Sequence, residues 1–254
     1  MRVMIEMTAR RDYEYDNTYN RALQSRIYAD LDGTEYANLH EETGIKLFSY
    51  SPPIPPRNAE EGDTRRLIVA GHDDHLITTI ATKLCQDPEL NLYEMPFHAD
   101  RAFSITTPLR DQGTLTTGTP IVVRYSTETA DEYGIDTPYE TTHWQPEHGT
   151  ELFFERLHNN LGRKYQLAYD EEPPEPPYFT GYSFERTIAK PLSFDTESVT
   201  FIGSEWTFEY EIESGSHRKL LQLALTAGLG ELNSLGFGFM NRAEDVNDGA
   251  PEQP

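Results

Sequence analysis

Two groups of residues in this chain are of types that move protons or hold phosphates. His40 closes Tyr36-Ala37-Asn38-Leu39-His40, and Lys46 follows six residues later at the start of an apolar run. Imidazole titrates near neutrality and takes or gives a proton at a reacting hydroxyl, while a nearby ammonium stabilises a negatively charged phosphorane. Such a pair needs no metal. The second group is Gly228-Leu229-Gly230-Glu231-Leu232-Asn233-Ser234-Leu235-Gly236-Phe237-Gly238-Phe239, which sets four glycines between an apolar helix and an apolar strand. Glycine reaches φ > 0 and lets backbone N–H groups approach a partner closely, so the run reads as a surface shaped for an anion or a polymer, with phosphate the obvious candidate. Turn formation is the competing reading, because helices commonly end on a left-handed glycine, but one cap does not need four. The order helix, glycines, strand is also the reverse of the dinucleotide fingerprint.

The other ionisable groups form weaker patterns. His72 and His75 in His72-Asp73-Asp74-His75 have a spacing that suits a metal, yet no third ligand accompanies them, and a helix N-cap at Asp73 or Asp74 accounts better for the segment. His217-Arg218-Lys219 opens the last helix, where cations oppose the macrodipole. An external phosphate there would turn the conflict into a binding site, and three solvated side chains are the equal alternative. Arg10-Arg11 and Arg163-Lys164 read as solvated pairs, and Tyr28, beside an apolar helical stripe, reads as packing. The histidines at 98, 143, 148 and 158 show no partner pattern, and there is no G-x-S-x-G element or thiol–histidine arrangement.

The chain has 254 residues, 37% of them hydrophobic, enough for one large core or two small ones, and its length leans towards two. No run approaches the roughly 18 apolar residues of a membrane span and no signal segment opens the chain, so a soluble cytoplasmic protein is expected. The single cysteine, Cys85, cannot form an internal disulfide and reads as a small buried hydrophobe. A net charge of -22, from 43 acidic against 21 basic residues, would ordinarily exclude nucleic acid through repulsion. Only five of the basic residues are lysine, and the acids are spread along the whole sequence, as in proteins that work in molar salt. At 1 M the Debye length is about 3 Å, so only contact-range groups matter there. The charge reports habitat more than ligand.

These residues need a scaffold, and hydrophobic periodicity outlines one. Arg2–Ala9 alternates as a strand, and Thr18–Leu31 carries Tyr19, Leu23, Ile27 and Leu31 at helical spacing behind an N-cap at Asn17. A short helical piece over Thr34–Glu42 ends at Gly44, and Ile45–Tyr50 is a strand stopped by prolines. A strand at Arg66–Gly71, a helix at Asp74–Cys85 and a strand or hairpin at Leu90–Thr106 complete βαββαβ, the ferredoxin-like unit. The second half repeats it: a strand at Thr119–Tyr125, a helix at Glu147–Tyr169, strands at Phe179–Ile188 and Thr200–Ile212, a helix at Ser216–Ala227, the glycines, and a strand at Gly236–Asn241. The expected architecture is α+β, two tandem ferredoxin-like (βαββαβ) domains at 1–112 and 113–242, with a disordered acidic tail at 243–254.

The glycine run, Leu39-His40…Lys46-Leu47-Phe48-Ser49-Tyr50-Ser51 and Thr119-Pro120-Ile121-Val122-Val123 together resemble the signatures of a CRISPR-associated endoribonuclease family, in a haloarchaeal-looking version. This is the sixth Cas family, of the RAMP superfamily, which cuts the long repeat transcript into guide RNAs. The resemblance spans essentially the whole chain. It implies cleavage without metal or other cofactor, in which a ribose 2′-hydroxyl attacks the adjacent phosphate and leaves a 2′,3′-cyclic phosphate and a 5′-hydroxyl. By that match His40 is the general acid/base, Lys46 the electrostatic helper, and Tyr28 the counterpart of a tyrosine that some members use. The RNA path would run along Thr119 and along Gly228, Gly230, Ser234, Gly236 and Gly238, joined by Arg218 and Lys219 as phosphate-binding candidates. Repeat RNA is the implied partner, with room for other Cas proteins of an interference complex and none for a membrane. Thr119 stands where the family has serine, and Leu232 stands where a basic residue is common, which removes a phosphate contact. The alternative is a non-catalytic RNA-binding subunit of an interference complex, which would not need His40; a ferredoxin-like module that binds small molecules is a third class.

Overall fold

The computed structural model describes residues 1–194 and 197–247. β1 (Arg2–Ala9) alternates as expected and buries Val3, Ile5, Met7 and Ala9. α1 (Asn20–Leu31) lays Leu23, Ile27 and Leu31 in the same core. Each such side chain contributes roughly 1.5–3 kcal/mol on full burial, which is what holds a twelve-residue helix too short to persist alone. β2 (Phe48–Tyr50), β3 (Thr64–Gly71), α2 (Asp74–Gln86), β4 (Glu89–Leu92) and β5 (Met95–Ser104) follow. The sheet is antiparallel in the order β2-β3-β1-β5-β4, a ferredoxin-like arrangement with β4 added through its hairpin to β5. α2 starts at its expected cap, where the Asp73 carboxylate accepts from the N–H groups of His75 at 2.8 Å and Leu76 at 3.2 Å.

The second domain repeats the plan. β6 (Gln112–Thr117) leads into an insertion of β7 (Arg124–Ser126), α3 (Thr127–Glu132) and β8 (Thr141–His143). α4 (Thr150–Tyr169), β9 (Gly181–Phe194), β10 (Glu197–Glu211), α5 (Gly215–Ala227) and β11 (Met240–Arg242) complete it, in the order β11-β6-β10-β9. Its core is aromatic: Phe153 of α4 stacks on Trp206 of β10 at 4.4 Å between centroids, and Leu220, Leu221 and Leu225 of α5 close the same cluster.

Several expectations require correction. α1 begins at Asn20 and has no side-chain cap; Asp16, not Asn17, is the residue whose carboxylate binds locally, accepting from the Thr18 N–H and hydroxyl. Residues 34–42 form successive turns instead of a helix. Thr34 explains this, because its hydroxyl bonds back to Leu31 O at 2.6 Å and accepts from the Tyr36 N–H, offering the backbone a local alternative. The first strand of the second domain is β6, and residues 119–123 make only single bridges, Ile121 to Ser204 and Val122 to Glu231. β11 starts at Met240 because Gly236 and Gly238 take φ of 83° and 66°, which no strand residue adopts. Within the expected tail, Ala243–Asn247 form a short helix (α6) whose Glu244 pairs with Arg110 at 2.9 Å. The remainder of that tail lies outside the described residues.

The two domains share a packed junction. Phe239 packs with Ile68 and Ala70 of β3, on the face of the first sheet opposite its helices. Arg2 reaches from β1 to Met240 O and Asn241 Oδ1, both at 3.1 Å, with its guanidinium 4.6 Å from the Phe239 ring centroid.

Candidate functional site

α1 carries Asn20, Gln24 and Tyr28 at i, i+4 and i+8, one polar ridge beside its apolar stripe. All three meet the glycine loop. Asn20 Nδ2 donates to Leu235 O at 2.7 Å, Gln24 Nε2 donates to Ser234 O at 3.1 Å, and the Tyr28 phenol lies beside the Ser234 side chain. Burial pushes the Tyr28 phenol up, with the neighbouring Ser234 hydroxyl partly offsetting it, so the group stays protonated at neutral pH. The Tyr28 ring lies 6.0 Å from the His40 ring and 6.4 Å from Phe48, centroid to centroid. His40 Nδ1 lies 3.1 Å from Ala37 O. A carbonyl only accepts, so Nδ1 carries the hydrogen, and Nε2 of the neutral ring is left with its lone pair on a side chain that is 48% exposed.

Next to Ser234 opens a cavity of about 400 Å³ lined by Gly44–Lys46, Val123, Arg124, one face of α4 and residues 230–234. Lys46 is held by Glu42 O at 2.8 Å and is largely enclosed. Arg156, Asn159, Asn160 and Arg163 of α4 follow one another at i, i+3, i+4 and i+7 and line one wall. Arg156 and Arg163 make no ion pair among the described residues. Arg124 is clamped by Glu231, the one carboxylate in the lining, at 3.0 and 2.9 Å. On a molecule of net charge -22 this concentration of cations is a local reversal of sign.

The structure brings His40, Tyr28, Lys46 and Ser234 to one region, but it assigns other expected residues different work. Gly228, Gly230, Gly236 and Gly238 are all buried at positive φ, and a Cβ on Gly230 would lie 2.5 Å from Val122 O. A Cβ on Gly238 would collide with Leu229 O, and one on Gly236 with the Tyr50 ring. Their amides are largely spent internally: Gly238 N–H on Pro120 O, Gly236 N–H on Asn233 O, Gly228 N–H on Ala224 O. The glycines therefore fold the loop into itself and against the first domain, and of the four only Gly230 lines the cleft. Thr119 is buried too, its hydroxyl accepting from the Phe239 N–H at 2.8 Å. Arg218 and Lys219 stand at the start of α5, about 15 Å of helix away from Gly228. Arg218 is paired with Asp111 and bonded to Leu109 O, and Lys219 with Glu171 at 3.0 Å. His217 is buried, and Ser214 caps that helix end, so no phosphate site opens there. Lys164, read as solvated, is wholly buried.

Sequence reasoning missed Arg156, Asn159 and Asn160, and read Arg163 as solvated. Their helical spacing, in a chain with few basic residues, is the signal that marks them.

Fold and cleft define a tandem ferredoxin-like protein with a cationic cleft beside its domain junction. The family profile described as CRISPR associated protein Cas6, C-terminal, matches residues 106–242. The CRISPR-associated endoribonuclease Cas6 of Haloferax mediterranei is 32% identical, with 99% of this chain and 97% of that one aligned. A solved structure described as a CRISPR associated protein Cas6 superposes with a TM-score of 0.71 at 19% identity, covering 96% of this chain and 99% of that one. Another, described as an RAMP protein binding different RNA substrates, gives 0.71 at 20% identity, covering 95% and 99%. The chain belongs to the Cas6 family of CRISPR-associated endoribonucleases. No helix among the described residues is long and apolar enough to cross a membrane.

Proposed function

We propose that the protein binds the repeat RNA of a CRISPR transcript in the cationic cleft and cuts it without a metal, by attack of a ribose 2′-hydroxyl on the adjacent phosphate. The observation that carries this reading is the gathering of Lys46 and Ser234 in one cleft with Arg156 and Arg163, with Tyr28 lying between Ser234 and His40. His40 Nε2 takes the 2′-proton as the O2′–P bond forms. Lys46 offsets the charge of the phosphorane, the P–O5′ bond breaks, and the departing 5′-oxygen takes up a proton. The products are a 2′,3′-cyclic phosphate and a 5′-hydroxyl. Tyr28, protonated throughout, holds geometry and does not carry the proton. Arg156 and Arg163 receive phosphates flanking the cut, and the amides of Asn159 and Asn160 face the same strand. Arg218, Lys219 and Thr119 have no part in this assignment.

The test is incubation of the full chain with repeat RNA in molar KCl and EDTA, with the product ends identified. His40→Ala should lose about 10²–10⁴-fold in cleavage rate while still retaining the RNA. Binding without any product from the unaltered chain would instead identify a non-catalytic RNA-binding subunit.

A further inference from the structure

Lys164 is the most deeply buried cation in the described structure that the proposed chemistry leaves idle, with 1% of its surface exposed. Its ammonium donates to Gly228 O and Gly230 O, each at 2.8 Å, and to Asn233 Oδ1 at 2.6 Å. Three acceptors use all three ammonium protons, and all three lie on the glycine loop. Burial pulls the group down to about 7, opposed by Glu231, so a neutral residue of similar length would be the easier occupant if only volume mattered. Asn233 passes the restraint on: its Nδ2 donates to Leu229 O and Phe237 O, both at 3.0 Å, tying the two limbs of the loop together. The next residue is Ser234, whose carbonyl is held by Gln24, one turn before Tyr28 on α1, and whose side chain lies beside the Tyr28 phenol, the ring next to His40.

We propose that Lys164 is a positioning residue for RNA cleavage, which through Asn233 and Ser234 sets the placement of Tyr28, and thereby of His40, without touching the RNA. This rests on the reading of His40 as the proton carrier. Methionine at 164 keeps the volume and removes all three bonds. Arginine keeps the charge, but its planar fork cannot reproduce a three-way donor.

The test compares the unaltered chain with Lys164→Met and Ser234→Ala, measuring Kd for repeat RNA and single-turnover cleavage with enzyme in excess. Lys164→Met is expected to lower the rate constant about tenfold or more, with Kd changed less than about threefold and full reaction amplitude. Ser234→Ala is expected to reproduce the loss, and the double variant to be little slower than either single one, because both break one chain of contacts. An unchanged rate constant overturns the proposal. So does a loss confined to amplitude, which is what a partly misfolded population gives, or losses that multiply in the double variant. If Lys164→Met does not fold, Ser234→Ala decides alone: a rate like that of the unaltered chain overturns the relay. An unaltered chain that leaves repeat RNA intact removes the functional reading, and this proposal with it, before any variant is compared.

Discussion

Identical residue types in this chain do different work according to burial. His40 is exposed and has its tautomer set by one carbonyl, whereas His158 of α4 is packed against Phe154 and Tyr178, with ring centroids at 5.7 and 4.9 Å. Burial holds His158 down to about 4 from the usual 6.5. As the pH falls, the unfolded chain takes up that proton first. The stability gained by keeping the ring neutral is therefore complete above about 6.5 and is lost between 6.5 and 4. Thermal denaturation followed across that window should show His158→Phe losing less stability on acidification than the unaltered chain; parallel curves would refute the assignment. The four loop glycines make the same point about context. Their positive φ was foreseeable, but the space beside each is filled by protein atoms, of Asn233, Val122, Tyr50 and Leu229 in turn, where an external strand was expected.

Among the elements, α4 presents a polar face that its apolar stripe of Leu152, Phe153, Leu157 and Leu161 leaves on the cleft side. Each phosphate neutralised on a single strand adds about 0.7 to the slope of log affinity against log salt. Replacing Arg156 and Arg163 together by alanine should weaken repeat-RNA binding and flatten that slope by about 1.4, which titrations over a KCl series would measure. An unchanged slope would place the phosphates elsewhere. Helices and strands with a clear apolar period were legible in the sequence: β1, α1, α2, α4 and α5 lie within a few residues of expectation. β6 was not, because Gly113 and three threonines surround a single buried position, Leu115, so its pairing with β10 comes from tertiary context alone. At the candidate site, His40 and Lys46 could be chosen by type and neighbourhood, and Ser234 only through the family resemblance. The α4 face could not be placed until the loop that opposes it was folded, and Lys164 sits one residue from a solvated arginine, too local a distinction for a composition argument.

At the scale of the whole molecule, repulsion and local attraction act over different ranges. The net charge of -22 opposes an approaching RNA at long range, while the proposed binding cleft gathers cations that act at contact. Raising KCl from 0.1 to 1 M shortens the Debye length from about 10 to about 3 Å, which removes the first effect sooner than the second. The association rate constant for labelled repeat RNA should therefore rise over that range, opposite to the behaviour of basic nucleic-acid-binding proteins, and stopped-flow mixing would show it. A rate that falls with salt throughout would mean that the cleft field already dominates at a distance. The junction adds a different constraint. Asn20, Gln24 and Tyr50 from one half grip Ser234, Leu235 and Gly236 from the other, with Tyr50 hydroxyl donating to Asn20 O at 3.0 Å. Chimaeras that graft the front half of one relative onto the back half of another will succeed only when these partners travel as a set. Inheritance of the proposed cut site is thus tied to a seam, and neither half can drift in sequence there without the other following.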